Sequence, residues 1–527
     1  MRAFAFPCVS LWRRCVALLC ALALAGPAAL APAAAQNALP ALGDSDSADF
    51  TVGMERKLGD EIMREIRLDP DYLDDPLLLE YVESLWQPMV ASARSLGNIT
   101  ADLDQRFAWS TFLVRDPAVN AFALPGGFVG VHLGLIGLTA TRDELASVLG
   151  HELSHITQRH IARSISGNAK RSLVGLAALV LGLLAASRAS SPDAINAVIA
   201  GSQAATLQGQ LNFSREVERE ADRIGFQIMT AAGYAPGGMA SMFEKMDVST
   251  RLNDYGGFPY LRTHPLTVER IGEARARAGV VTLAQRGSVL EHTVAQARAR
   301  VLMDTRVDAL RRWQARDAAM EGTAAEKLLA ATESALGSTL LRDFARADAA
   351  FATALGIVRN SPNSSARAER AVAFMQAQSL LDRRATARAA EVMQPYAGDG
   401  SRPSLLMQAQ IALIATPNVS PDSTPLKARA SELQTWVALH ADDSLAWSAL
   451  GQTWARLGLP LRSLRAEAES RYALGDLLGA ADRLRAGQRL ARSGGPVDFI
   501  DASVIDSRLR DIEAQRRQLL ADKQASR

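Results

Sequence analysis

The run His151-Glu152-Leu153-Ser154-His155 constrains this chain more than any other stretch. On a helix, imidazoles four residues apart share one face and can reach a single cation. Glu152 then stands beside the first imidazole, angled towards a water on that cation rather than towards the cation. A carboxylate placed there takes a proton from a zinc-acidified water as it attacks a peptide carbonyl. The flanks predict the helix: Thr141 and Glu144 have the spacing of a capping box. Val148, Leu149, Leu153, Ser154, Ile156 and Thr157 carry no charge, as a buried helix requires. Histidine is scarce, seven in 527 residues, so chance seldom gives this pair. The plain alternative is two histidines on an ordinary helix face.

A catalytic zinc site takes three protein ligands and leaves a position for water. All three cysteines, Cys8, Cys15 and Cys20, fall within residues 1–35. That segment has the form of a signal peptide. Arg13 and Arg14 precede an apolar stretch from Cys15 to Ala25, and Ala33-Ala34-Ala35 offers a cleavage site before Gln36. An N-terminal membrane anchor is the other reading, but the apolar core is short for a span. A mature chain without cysteine forms no disulfide, and its metal site must be built from histidine and carboxylate. The third ligand is sought in Asn212-Phe-Ser-Arg-Glu-Val-Glu-Arg-Glu-Ala-Asp222, a segment of helical character. Glu218 and Asp222 are four apart and face the same way. Glu218 suits the metal, and Asp222 suits the outer N–H of a ligating histidine. Glu216 and Glu220 compete on spacing alone, and Arg215 either orients these carboxylates or lies on the surface.

Elsewhere the pattern is mainly helical. Met54, Leu58, Ile62 and Ile66 recur at helical spacing, and Asp75-Pro76 starts a second helix. Phe107 to Val114 and Phe128 to His132 are strand-like, with Pro125-Gly126-Gly127 as a turn. Ser172 to Ser187 is strongly apolar but spans only 16 residues. That is short of the roughly 20 needed to cross a bilayer as a helix. It is a buried core helix, a flap beside the site, or a face for peripheral membrane contact. From about residue 290 Ala, Arg and Leu dominate. Trp447, Leu450, Gly451 and Trp454 have the spacing of the first helix of a tetratricopeptide repeat, and Leu474-Gly475-Asp476 is a later turn. Stacked helix pairs or an irregular helical bundle both satisfy this pattern. Residues 1–35 carry three arginines and no acid, which leaves 55 basic against 56 acidic residues. No basic surplus remains for a general nucleic-acid partner.

His-Glu-Leu-Ser-His, followed at a distance by Ser-Arg-Glu-Val-Glu-Arg-Glu-Ala-Asp-Arg-Ile-Gly, resembles the gluzincin metallopeptidases, in the branch of HtpX and the CAAX prenyl proteases. Their second motif is Glu-x-x-x-Asp with the Glu as ligand. The resemblance therefore implies one Zn²⁺ per chain held by His151, His155 and Glu218, with Glu152 as general base and Asp222 behind the ligands. Asn120 to Gly127 is similar to the segment leading into the family's edge strand, beside which substrate is expected. An unpaired edge near Phe128 to Val131 could hold an extended peptide by main-chain hydrogen bonds. Thr263-His264-Pro265 with Arg270 is similar to the family's late His-Pro motif. His264 is then a removable fourth ligand, a donor to the oxyanion, or a structural histidine. His160 is expected to face elsewhere, and His132, His292 and His440 receive no role.

The implied fold is mainly α. It comprises a zincin-type α+β metalloprotease domain with a small sheet (36–285), then a helical tetratricopeptide-like domain (286–527). The export signal and repeat tail are most similar to the periplasmic branch that acts in β-barrel assembly. That branch implies stalled or misfolded outer-membrane proteins as substrates, and an assembly machine docked on the repeats. The competing class is a periplasmic chaperone or adaptor whose metal site is latent.

Overall fold

Thr51, whose hydroxyl accepts from the Met54 amide, caps the helix Val52–Arg67 (α1). In the computed structural model of the chain, the described residues are 50–164, 215–252, 260–279, 289–318, 321–362, 365–493 and 498–525. The expected signal segment and the apolar run 172–187 lie outside them. None of the described helices is long and apolar enough to cross a membrane. Asp75 caps Pro76–Ser95 (α2) through the Leu78 amide, with Pro76 in the first turn as the dipeptide foretold.

Tyr72–Leu73 (β1), Ser110–Val114 (β2), Ala121–Leu124 (β3) and Phe128–His132 (β4) form one sheet in the order β1-β2-β4-β3. β2 and β4 run parallel, while β1 and β3 are antiparallel additions on either side. Side chains alternate between the two faces. Leu113, Val129 and Val131 enter the main core with α2. Phe112, Val114 and Phe128 pack on Leu58, Ile62 and Ile66 of α1. One expectation is corrected here. β4 is interior, with partners on both sides. The edge strands are β1 and β3: the tight turn at Gly126 and Gly127 (φ 79° and 87°) folds the chain back and leaves β3 outermost beside β4.

Leu133–Leu138 (α3) leads to Arg142–Thr157 (α4), buried along nearly its whole length. The short helix His160–Ser164 (α5) follows. Arg215–Ala231 (α6) and Gly237–Leu252 (α7) cover α4. Tyr260–Thr263 (α8) and Val268–Ala278 (α9) complete this region. The cap of α4 differs from the expected box. Thr141 accepts from Glu144 N, but the Glu144 carboxylate accepts from Ala140 N at 2.6 Å and pairs with Lys245 at 2.6 Å.

Val289–Leu302 (α10) belongs to two cores. Ala295 and Ala299 join the main core beside α2 and α3, whereas Leu290, Val294 and Val301 pack with later helices. Helix pairs follow: Ala324–Leu340 with Phe344–Asn360, Ala366–Asp382 with Thr386–Met393, Arg402–Ala415 with Thr424–Leu439, Ser444–Arg456 with Pro460–Ala473, and Leu477–Arg492 with Phe499–Ala525. Left-handed residues end several first or second helices, at Arg342, Arg384, Gly458 and Gly475. Ion pairs join α10 and these helix pairs to α2 and the residues just before it, among them Arg298–Asp75, Arg370–Glu80 and Arg402–Asp74.

Candidate metal centre

The crossing of α4 and α6 creates the site. Gly150 and Gly225 meet there backbone to backbone: a Cβ on Gly225 would stand 2.8 Å from Gly150 O. The contact lets α6 approach closely enough for Glu218 and Asp222 to reach His151. His264, just past α8, joins them from the other side.

The ligand atoms of His151, His155, Glu218 and His264 all lie within 4.8 Å of one another, and all four residues are buried. His155 Nε2 is 3.0 Å from His151 Nε2. Glu218 Oε2 is 3.5 Å from His151 Nε2, and Oε1 is 3.6 Å from His155 Nε2. His264 Nδ1 lies 2.9 Å from Glu218 Oε1 and 3.4 Å from His151 Nε2. Zinc bound tetrahedrally at its usual ligand distances would separate neighbouring donors by about 3.3 Å. The donor set fits that spacing, and imidazole with carboxylate is a set that zinc accepts.

The next layer fixes the donors. His151 Nδ1 is 2.9 Å from Asp222 Oδ1. A carboxylate only accepts, so Nδ1 carries a proton throughout, and Nε2 offers its lone pair once a cation displaces the proton there. Asp222 is gripped by Arg270 through Nε at 2.7 Å and Nη2 at 2.8 Å, and Arg270 Nη1 lies 2.9 Å from Glu218 Oε2. Tyr260 stacks on His264 with ring centroids 4.7 Å apart.

These contacts govern protonation. Burial alone would lower His151, but hydrogen bonds to Asp222 and Glu218 outweigh it and raise its pKa to about 10. Burial alone would raise Glu218, yet the His264 charge and the hydrogen bonds from His151 and His264 hold it well below the usual range. Burial pushes Glu152 up, opposed by His264 and His151. His155 is driven well down by burial, then by the neighbouring His151 and His264.

Glu152 is anchored on one side. Its Oε2 accepts from Ala123 N of β3 at 2.9 Å, and its Oε1 has no hydrogen-bond partner among the described residues. Nearest is His264 Nε2 at 3.7 Å. The candidate base therefore presents one bare oxygen on the side of the ligand group, while its other oxygen is tied to edge strand β3.

Of the acids that competed on spacing, Glu218 and Asp222 turn inward. Glu216 and Arg215 are exposed. The carboxylates are oriented by Arg270, which sequence reasoning had only as part of the His-Pro motif. His160 corrects another expectation. It does not face away: its Nδ1 is 2.9 Å from His155 Nδ1. On a straight helix, position i+5 points well away from i. Here α4 stops at Thr157, Arg159 turns left-handed (φ 51°), and α5 restarts with His160 redirected inward. Arg159 is held by Glu55 Oε2 at 2.9 Å and Phe50 O at 2.6 Å. Such a residue costs about 1–3 kcal/mol and persists only where its surroundings fix it. No Gly, Asn or Pro marks the break in the sequence, so nothing there announced it. His132 pairs with Asp116 at 3.7 Å, and His292 bonds Tyr81 at 2.6 Å, both away from this group.

Residues 86–278 match the profile of Peptidase family M48. The chain carries an M48 peptidase domain. Every residue of the group just described lies within that domain. Over 289 residues the chain is 37% identical to the putative beta-barrel assembly-enhancing protease of Vibrio cholerae, a match covering 53% of this chain and 56% of the relative. Over 254 residues it is 36% identical to the beta-barrel assembly-enhancing protease of Escherichia coli K12, covering 47% and 49% respectively. The mitochondrial metalloendopeptidase OMA1 of Saccharomyces cerevisiae is 30% identical over 197 residues, or 36% of this chain and 53% of the relative. The chain thus spans about half the length of the curated relatives it matches.

Proposed function

We propose that the chain is a zinc-dependent endopeptidase. The observation that carries this reading is the convergence of His151, His155, Glu218 and His264 beside a carboxylate with one bare oxygen. Zinc held there would supply Lewis-acid polarisation of a scissile carbonyl and an acidified water at neutral pH. The chain's own residues do the rest. His151, His155 and Glu218 are the protein ligands. Asp222, locked by Arg270, keeps His151 in the tautomer that offers Nε2. Glu152 accepts the proton of the attacking water at Oε1 and later delivers it to the leaving amine. β3, an edge strand, pairs with an extended substrate by main-chain hydrogen bonds, a mode that tolerates many sequences. His264 reaches Glu218 and His151 at hydrogen-bond range. It acts as a removable fourth ligand or, when displaced, as a donor to the oxyanion.

The wider role rests on the resemblance and on the relatives' names. Export through residues 1–35, cleaved near Ala35, would place the enzyme in the periplasm. Its substrates are stalled or misfolded outer-membrane β-barrel proteins, and its helix pairs form tetratricopeptide-like repeats that dock on the assembly machinery.

Glu152→Gln tests the chemistry. The amide oxygen still accepts from Ala123 N, so zinc and client binding should persist while cleavage of a casein-like substrate falls by about 10²–10⁴-fold. Undiminished cleavage by this variant refutes the proposed base. If neither the unaltered chain nor His264→Ala cleaves any client, the adaptor reading with a latent site replaces the peptidase.

A further inference from the structure

The two helix-borne imidazoles are oriented by unlike means. His151 leans on a carboxylate locked by arginine. His155 leans on another imidazole, and that imidazole on Glu220. His160 Nδ1 is 2.9 Å from His155 Nδ1, its Nε2 is 3.1 Å from Glu220 Oε2, and Glu220 Oε2 also receives Arg163 Nη1 at 3.2 Å. His160 is buried, while the Glu220 and Arg163 side chains are 32% and 48% exposed.

The protons along this chain can be assigned in order. Glu220 only accepts, so His160 Nε2 carries hydrogen. A neutral imidazole has one N–H, so His160 Nδ1 is a bare acceptor. The short contact to His155 Nδ1 then requires that nitrogen to donate. His155 Nε2 is left as a lone pair, aimed at the space shared with His151 Nε2 and Glu218. Reversing the chain would put a hydrogen on His155 Nε2, pointing into the ligand group. Glu220 forbids the reversal from the surface.

We infer that His160 is a positioning residue for the metal centre: it accepts the Nδ1–H of His155 and, through Glu220, fixes the tautomer in which Nε2 of His155 can bind metal. The inference rests on the proposed metal site and adds to it a relay from a half-exposed carboxylate to a buried ligand. The backbone agrees with it. The left-handed Arg159, tied to Glu55 and Phe50, is the device that swings His160 back under His155.

The test is zinc affinity of the purified chain, measured by competition with a chromophoric chelator. Apo-protein circular dichroism and melting monitor the fold. His160→Ala should bind zinc about 10- to 100-fold more weakly, the usual effect of removing a histidine's outer partner. His160→Gln, whose amide oxygen can accept from His155 Nδ1, should recover much of that loss. Glu220→Ala should weaken binding less than His160→Ala. The Co²⁺-loaded protein should show a changed visible spectrum in His160→Ala and not in His160→Gln. Unchanged zinc affinity in a folded His160→Ala overturns the inference, as does a Gln variant no better than Ala, which marks simple packing. Should His160→Ala fail to fold, unchanged affinity in Glu220→Ala overturns it instead. If the unaltered chain takes up no zinc, the metal reading itself fails and the relay falls with it. If the chain binds zinc and His151→Ala does not, while His160→Ala binds normally, only the relay falls.

Discussion

Gly225→Ala separates the fold from the site. A Cβ at this position would lie 2.8 Å from Gly150 O and 2.9 Å from both Gly150 C and His151 N. Carbon contacts relax near 3.5 Å, so the two helices must part by about 0.7 Å. All three neighbours are backbone atoms in a buried helix and cannot rotate aside. Overpacking of this kind costs about 1–3 kcal/mol, while alanine gains about 1 kcal/mol over glycine in a helix interior. The net destabilisation is therefore about 0–2 kcal/mol, which a domain of this size tolerates. Metal ligands tolerate only about ±0.2 Å. Glu218 and Asp222 sit on the displaced helix and His151 on its partner, so zinc affinity should fall by roughly tenfold or more while the fold survives. Gly272→Ala is the control, because a Cβ there has nothing within 4 Å. The assays are chelator competition for zinc and denaturant unfolding of the apo-protein. Wild-type zinc affinity in a folded Gly225→Ala would refute the claim that this close crossing sets the ligand spacing.

Arg270→Ala leaves Asp222 and Glu218 buried without their cation, and unfolding of the apo-protein should become easier by about 3–5 kcal/mol; a change below about 1 kcal/mol in denaturant titration would show the pair to be dispensable. Stability should also fall in acid through Asp75 and Asp443. Burial opposes ionisation of both, yet Arg298 and Arg402 respectively outweigh it and hold their pKa values below the ordinary range. A depressed folded-state pKa contributes stability that is complete above the unfolded value of about 3.9 and is lost as pH falls through the folded value. Asp75→Asn keeps the helix cap but removes the titration, so its melting temperature should drop less steeply below that pH than the parent's. An unaltered acid slope would count against this pair.

Local signals carried much of the architecture into the sequence. Asp75-Pro76 fixes a helix start, Pro125-Gly126-Gly127 fixes a hairpin, and the strands at 110–114 and 128–132 lie inside the strand-like runs. What failed was long-range. Whether Phe128–His132 is an edge depends on Ser110–Val114 docking beside it, and no residue in either strand states that pairing. The site divides in the same way. Spacing put His151 and His155 on one face and left three glutamates open; only the family's second motif singled out Glu218, which the fold then brought to the imidazoles. Arg270 lies 48 residues beyond Asp222, so its clamp was invisible as chemistry. His160 was misplaced because helical periodicity was carried across a break made by a left-handed arginine, a residue type with no preference for that conformation.

The burial of so many ionisable groups has a structural consequence. His151, Glu152, His155, Glu218, Asp222, His264 and Arg270 are each at most 3% exposed, and each charge there is costly unless it is met. Nearly all are met by one another; among the described residues Glu152 Oε1 and Glu218 Oε2 accept no hydrogen bond, but Glu218 Oε2 has Arg270 Nη1 at 2.9 Å, whereas no donor among them comes so near Glu152 Oε1. Glu152 Oε2 is held by Ala123 N, a main-chain group of edge strand β3. A strand directs the amides of alternate residues to the same side, so the strand that would align an extended substrate also fixes the height of the proton acceptor. On the proposed reading, substrate register and base position are set by the same few backbone atoms. Moving β3 relative to α4 would then disturb peptide alignment and proton transfer together, even with all three ligands in place.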